Sequence, residues 1–547
     1  MVSATSSYNQ LNSFSSQAAQ VDNLLGSTTN GLASQLQSLV TALQTVANAP
    51  TSSASRQAFL SQAQQLVSNL QSDDSSLQNL NLQANAQLTG DASQVTALAQ
   101  SIAALNKQIM TDTSQSQQAP NSLLDQRNQL INQLATYATV TTTQQADGSV
   151  NVYIGSGQTL VTGTTAASLS TIPNAYDPSE DDLALTTAAG PTDVTQQISG
   201  GTLGGTLQFR SQMLDPARNS LGQIAVVLSS AVNAQNQAGL DQSGNPGQAV
   251  FAVGGPTVLN DSGNTGTAAV SATVSDASAL TTDDYTLKFD GTNWNLSDAS
   301  SGASVAMTGN GSTASPFTAE GLSIVVGAGA AAGDSYQIQP TRSAVAGMAV
   351  LLTDPAQLAA AAPLLTAASA GNTGNGSIDA GSVPDSANWV RGDYTLTFTS
   401  ANAWQASNAA GTVVGNGAYA PGTPITFNGI QVTVSGAPAS GDSFAVDDNA
   451  TGSGDNRNAS AMAGLLNQSL IGGTTSINAA VNQMVTNIGI QTSQAQTGTT
   501  AQQAVLTDAT SAQQSVSGVN LDEEAANLVQ YQQAYQAAAE VIKVASN

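Results

Sequence analysis

Four sets of residues in this 547-residue chain have types and spacings that chemistry could use. Gly200-Gly201-Thr202-Leu203-Gly204-Gly205 is glycine-rich enough to cradle a phosphate. It lacks the Gly-Lys-Ser/Thr ending that supplies the lysine and the metal-binding hydroxyl, so it reads as a loop entering the next helix. Asp241, Ser243 and Asn245 have the alternate spacing that opens a calcium loop, but the twelfth position of that frame is Ala252, which offers no bidentate carboxylate; a turn is the better reading. Glu180-Asp181-Asp182 and Asp447-Asp448 could pair a general acid with a base if one carboxyl were desolvated. Both runs sit among polar, loop-like residues and read as solvated charge. Trp294 and Trp404 could stack on sugar rings, but core aromatics are the favoured reading.

What the chain lacks narrows the field further. It has no Cys, which removes disulfides, thiol nucleophiles and thiolate metal sites, and no His, the usual general base near neutral pH and the commonest metal ligand. No catalytic residue, cofactor or metal site is therefore assigned, and an enzyme is not expected. Ten Lys plus Arg against 35 Asp plus Glu give a net charge of -25, which repels phosphate backbones and anionic lipid. Nucleic acid is not an expected partner. Met1 to Gln20 has neither a basic region nor an apolar run, so it is no cleaved signal peptide. The Ala/Leu-rich run from Leu358 to Ala370 is short and broken by Pro363, so membrane insertion is not expected either.

The elements that must position any site follow from periodicity. Charged residues make up only 8% of the chain, a composition that alone suggests disorder, but the 40% of hydrophobic residues are regularly spaced. Leu32, Leu36, Leu39, Leu43 and Val46 form one helical stripe ended by Pro50. A longer stripe from Ala63 through Leu70, Leu77, Leu88, Val95 and Ile102 to Ile109 reads as coiled coil, with a bend or register shift at Thr89-Gly90-Asp91. Leu123 to Leu134 is a third helix. These make residues 1–137 the first part of a helical rod. Val150, Val152 and Ile154 alternate after an Asp147-Gly148 turn and open a small β-rich segment over 138–203, after which helical spacing from Leu214 to Ala231 returns the chain to the rod over 204–249.

Residues 250–342 are Gly-, Thr- and Val-rich with short alternating runs, as in a β-sandwich or a small barrel. Their pattern recurs. Asp284-Tyr285-Thr286-Leu287 before Trp294 matches Asp393-Tyr394-Thr395-Leu396 before Trp404, an offset of 109 (393 minus 284), and Gly333-Asp334-Ser335 matches Gly441-Asp442-Ser443 at 108 (442 minus 334). The agreement predicts a duplicated β module at 371–450, joined to the first by a connector over 343–370 that is helical in part and starts a helix at Asp354-Pro355. Residues 451–518 resume the rod, and 519–547 form a last helix with Asn520 and Glu523 as a capping pair. Its residues Leu521, Leu528, Tyr535 and Ile542 recur every seven positions, with Ala525, Tyr531 and Ala538 widening the stripe, so it calls for a partner helix. The fold class is multidomain α+β: an elongated α-helical rod or coiled-coil bundle drawn from both chain ends, with a small β-rich segment and two β-sandwich-like modules inserted in the middle.

The run Ser517-Gly518-Val519-Asn520-Leu521-Asp522-Glu523-Glu524, continued by Ala525-Ala526-Asn527-Leu528 and Tyr531-Gln532-Gln533-Ala534-Tyr535, closely resembles the terminal motif of bacterial flagellar rod, hook and hook-associated proteins. Within that group, Leu123-Leu124-Asp125-Gln126-Arg127, the stretch from Gly204 to Pro216, Asn233-Ala234-Gln235 and Gly454-Asp455-Asn456-Arg457-Asn458 are similar to hook-associated proteins of the hook–filament junction. The resemblance implies a non-catalytic axial subunit, exported unfolded by the flagellar type III apparatus and extracellular in the flagellum. Implied partners are the hook protein, a second hook–filament junction protein, further copies of the chain in a homo-oligomeric ring, and an export chaperone at the C-terminal helix. The implied assembly interface is Leu521, Ala525, Leu528, Tyr531, Tyr535, Ala538 and Ile542. The family begins with a helical segment that pairs with the C-terminal helix; here Met1 runs into what resembles the region after it, so that segment is expected to be missing. Simpler members pass almost directly from the connector to the Asp-Asn-Arg-Asn motif, which marks 371–450 as the inserted copy. An alternative of a different class is a secreted, adhesin-like protein whose paired β modules hold a glycan or host ligand.

Overall fold

The computed structural model describes residues 1–26, 31–116, 120–517 and 521–546. Asn520, and with it the capping pair read for the last helix, lies outside them. In chain order the helices are α1 (Val2–Leu25), α2 (Leu32–Asn48), α3 (Ser53–Ser116), α4 (Asn121–Leu134), α5 (Gly201–Phe209), α6 (Asp215–Gln237), α7 (Arg457–Gly464), α8 (Ile477–Ser517) and α9 (Leu521–Ala545).

The apolar stripes read from the sequence meet in two rod cores. Leu36, Leu39 and Leu43 of α2 pack with Leu66 and Leu70 of α3, Leu221, Ile224 and Leu228 of α6, and Val481 and Ile488 of α8. Farther along α3, Val95, Ala99 and Ile102 pack against Val150, Val152 and Ile154 of the β-rich segment. One helix thus serves both cores, because its 64 residues reach about 96 Å at 1.5 Å per residue. At Thr89-Gly90-Asp91, where a bend or register shift is expected, α3 stays helical without a break, and nothing lies within 4 Å of where a Gly90 side chain would begin. A single glycine weakens a helix, but packing on both sides outweighs that cost.

The glycine-rich run is also more ordered than a loop. Helix α5 starts at Gly201, and Gly204 and Gly205 lie inside it. A side chain at Gly205 would stand 2.4 Å from the Gln10 carbonyl oxygen and 2.9 Å from Ser13 Cβ, so the missing side chains are what let α1 cross α5 at short range. A π-helical turn, Arg210–Leu214, joins α5 to α6. Pro216, in the first turn of α6, has no N–H to return to the preceding turn, and the widened turn accommodates it.

The β-rich segment holds two antiparallel sheets. One orders Val140–Gln144, Val150–Ile154, Gln158–Thr162 and Thr165–Ala166; the other orders Ser168–Pro173, Asp181–Thr187 and Gly190–Asp193. Each later module pairs a five-stranded sheet with a three-stranded one around a single core. In module 1 the larger sheet orders Ser304–Val305, Trp294–Asp298, Tyr285–Phe289, Ser335–Gln339 and Thr257–Asn260. In module 2 it orders Val413–Ala418, Ala403–Asn408, Tyr394–Ser400, Ser443–Asp448 and Leu364–Ala368. The smaller sheets correspond as well, Val270–Val274, Leu322–Val326 and Phe317–Ala319 against Ser377–Ile378, Ile430–Ser435 and Pro424–Phe427. Tyr285 and Tyr394 open the same central strand, and Phe289 faces Trp294 as Phe398 faces Trp404.

The connector starts a helical turn at Asp354-Pro355 as expected, but the turn is short. Among its residues only Pro355–Gln357 is helical, a single 3-10 turn that Asp354 and Gln357 close with a capping box. Leu364–Ala368 is a strand paired with Ser443–Asp448, so module 2 takes its edge from within 343–370. The alanines around Leu358 are buried in extended chain; local helix propensity yields there to tertiary pairing.

Candidate assembly surface and its supporting junctions

Three of the motifs that carry the resemblance, those at Arg127, Asn233-Ala234-Gln235 and Gly454 to Asn458, act as polar clamps. Asn456 donates its side-chain N–H to the Ala47 carbonyl at the end of α2, and Asn458 donates to the Ala359 carbonyl while accepting from Gln235. Asp455 accepts from the Ala362 N–H and pairs with Arg457, whose Nη2 donates to the Leu364 carbonyl. Asn233 accepts from the N–H groups of Val250 and Phe251 and donates to the Phe251 carbonyl; Asn236 bridges the Gln248 carbonyl and the Ala359 N–H. Arg127 reaches Asn106 and the Gly148 carbonyl, and Asn106 in turn holds Val150 and Gly163. Irregular chain buried between modules must have its backbone groups satisfied, and amide side chains, able to donate and accept together, do this for chain that no sheet or helix pairs.

At the root of module 1 the reading of Glu180-Asp181-Asp182 as solvated charge is overturned. Arg342 places Nη1 3.0 Å from Glu180 Oε1 and 3.4 Å from Asp215 Oδ1, and Nη2 2.6 Å from Asp284 Oδ2. Arg210 places Nη2 3.3 Å from Asp182 Oδ1 and Nε 3.7 Å from Glu180 Oε2, and donates to the Asp181 carbonyl at 2.6 Å. Glu180 and Asp182 are largely buried here. Burial pushes Glu180 up to about 7, with neighbouring Asp215 adding to the rise and Arg210 and Arg342 opposing it. Burial also raises Asp215 and Asp284 against the pull of Arg342. The desolvating partners come from α6 and module 1, far along the chain, so no local signal announced them.

The other candidates resolve into structural roles. Asp448, at the surface as read, is held by a two-pronged pair with Arg391, 2.9 Å on each side, and Arg391 also donates to the Gly244 carbonyl, tying module 2 to the rod. Asp241 accepts from the N–H groups of Ser243 and Asn245, which makes that stretch a turn. Trp404 is buried, and half-buried Trp294 stacks 5.0 Å from Phe289 and 5.8 Å from Tyr336, both inside their modules. Among the described residues no cluster of acidic side chains is arranged to hold a metal ion, and no helix is long and apolar enough to cross a membrane.

The stripe on α9 stands open. Leu528 is 60% exposed, Tyr531 76%, Tyr535 79% and Ile542 69%; Ala525 and Ala538 are exposed beside them. These are large apolar groups at regular spacing on one helix, left uncovered among the described residues, unlike the scattered exposed residues elsewhere on the surface.

Comparison with known proteins agrees with this architecture. Residues 18–251 match the flagellar hook-associated protein FlgK helical domain, and 259–340 and 367–448 match the D2-like domain of flagellar hook-associated protein 1. Residues 510–547 match the C-terminal family of the flagellar basal body rod FlgEFG proteins. Flagellar hook-associated protein 1 of Escherichia coli (strain K12) is 31% identical over 534 residues, spanning 97% of this chain and 82% of that protein. The chain belongs to the FlgK family. The same protein of Salmonella typhimurium is equally similar, 31% identical over 97% of this chain. The solved structure of the flagellar hook junction protein FlgK from Burkholderia pseudomallei superposes with a TM-score of 0.83 at 35% identity, covering 94% of this chain and 99% of that one. As a FlgK-family chain this is a structural, hook-associated protein of the bacterial flagellum at the hook–filament junction, and the adhesin-like alternative is set aside. The D2-like family of FlgK spans both β modules, in agreement with their common strand order.

Proposed function

We propose that the chain assembles through α9, with Leu521, Ala525, Leu528, Tyr531, Tyr535, Ala538 and Ile542 as its interface. Copies then form a homo-oligomeric ring with the hook protein on one side and the second junction protein on the other. The observation that carries this reading is the exposure of Leu528, Tyr531, Tyr535 and Ile542 along one helix. A solvent-exposed helix of 25 residues is marginal in water by itself, and burying its stripe supplies what it lacks. Before assembly the same stripe suits an export chaperone, which would shield it from aggregation during passage through the flagellar type III apparatus. The chain acts without catalysis.

The test replaces Leu528 and Tyr535 by Asp in the flagellated cell. Because both side chains are exposed in the isolated chain, its own fold should be unchanged, while a charge buried in an assembled seam costs several kcal/mol unless paired. Hooks without filaments, by electron microscopy, are the expected result; intact filaments on the double variant would move the essential contacts elsewhere.

A further inference from the structure

The buried cluster at the root of module 1 carries more acid than base. Carboxyls of Glu180, Asp182, Asp215 and Asp284 lie against the guanidiniums of Arg210 and Arg342. Arg218 of α6 adds a third positive charge, acting on Asp215, Asp284 and Asp74 of α3. Asp177 and Asp193 add negative charge from the β-rich segment, Asp177 acting on Glu180 and Asp193 on Asp182. The groups come from separate parts of the fold: Glu180 and Asp182 from the start of the strand Asp181–Thr187, Asp215 from the start of α6, Asp284 from just before the central strand Tyr285–Phe289 of module 1, and Arg342 from the end of that module. Glu180 is the shared member, since it touches both Arg210 and Arg342.

We propose that this junction is a proton-tightened latch: the closed arrangement of β-rich segment, α6 and module 1 takes up a proton on Glu180 and grips more firmly as the surroundings acidify. The charge excess gives the reason. With every carboxyl ionised, the cluster holds more negative charge than its guanidiniums offset, and a proton on Glu180 reduces that excess; separating module 1 from Glu180 returns that carboxyl to solvent, where it ionises at its ordinary value. Burial raises Glu180 to about 7 in the closed form. Through Glu180 the closed form binds up to one more proton than the open form between the ordinary glutamate value and about 7, and the burial that raises Asp182, Asp215 and Asp284 acts in the same direction, so opening becomes easier as pH rises through that window.

Two measurements on the full chain test the latch. Glutamate occurs only at 180, 320, 523, 524 and 540, so selective carbon-13 labelling of glutamate carboxyls yields five signals. One should titrate near neutrality and disappear in Glu180→Gln. Hydrogen exchange of Asp181–Thr187 and Tyr285–Phe289, corrected for intrinsic rates, should show an opening constant that rises by up to about tenfold per pH unit between 5 and 7. In Glu180→Gln that slope should flatten. Five glutamate signals all titrating in the ordinary carboxylate range would overturn the proposal, and so would an opening constant in the wild type that ignores pH. If the variant fails to fold, the carboxyl titration of the wild type decides alone.

Discussion

Leu364 and Asp448 stand opposite each other in antiparallel register at the edge of module 2, so the chain enters and leaves that module at one point. Paired Cα atoms in such a ladder are about 5 Å apart. Excising 365–447 and closing the gap with a short Gly-Ser linker should leave the rod folded, with the melting temperature of the remaining helices changed by a few degrees at most. Excising 371–450 instead strands the edge strand Leu364–Ala368 and should be less well tolerated. Circular dichroism of both deletions compares them; equal damage would mean that module 2 supports the rod.

Two glycines inside helices should respond in opposite directions. Gly205→Ala puts a methyl 2.4 Å from the Gln10 carbonyl oxygen, a backbone atom that can give way only if α1 moves, and should cost about 1–3 kcal/mol. Gly90→Ala meets nothing within 4 Å on an uninterrupted α3 and should gain about 0.5–1 kcal/mol. Denaturant midpoints of the two variants against wild type give the signs.

Asn106 is fully buried and makes four contacts: it donates to the carbonyls of Val150 and Gly163 and accepts from the Val150 N–H and Arg127 Nη1. Asn106→Ala leaves these partners unmet, at about 1–3 kcal/mol for each buried group that water cannot reach. Hydrogen exchange should show lost protection centred on Val150–Ile154, with the module sheets unaffected.

Asp334 and Asp442 occupy equivalent turns. Each carboxylate accepts three backbone N–H bonds, from Thr265, Gly266 and Ala331 in one module and from Thr373, Gly374 and Ala439 in the other. These bonds hold both carboxyls below the usual range. The stabilisation is therefore present above the ordinary aspartate value and lost as pH falls through the depressed one, so both turns should survive mild acid. Asp334→Asn should destabilise module 1 alone and Asp442→Asn module 2 alone, because an amide turns donors toward donors. Fluorescence of Trp294 reports the first module, and that of Trp389 and Trp404 the second, read one at a time with the other tryptophans replaced by Phe.

Legibility tracked the range of the interactions. The stripe of α2 and the alternation of Val150, Val152 and Ile154 repeat within a few residues, so periodicity exposed them. The duplication was legible because copying kept Asp284 and Asp393 in step, and strand order follows from the copied pattern. The clamps were visible as motifs, but their work was not: Asn456 meets Ala47, 409 residues away, and Asn458 meets Gln235. Gly205 looks like a loop residue until α1 is laid across it, and Gly204 until the Ser199 backbone closes on it.

By itself the sequence determined the α+β class, the repeated module, the absence of thiol and imidazole chemistry and the flagellar character of the C-terminal stripe, because each depends on residue type and short spacing. Only the tertiary structure decided that Glu180 and Asp182 are buried carboxyls, that the chain around Leu358 is not a longer helix, and that α3 continues unbroken through Gly90. In each case the deciding energy comes from groups distant in the chain: Arg342 and Asp284 supply and withdraw charge around Glu180, the strand Ser443–Asp448 claims Leu364–Ala368, and packing on both rod cores keeps α3 helical. Desolvation is a property of what surrounds a residue in space, which composition along the chain does not contain.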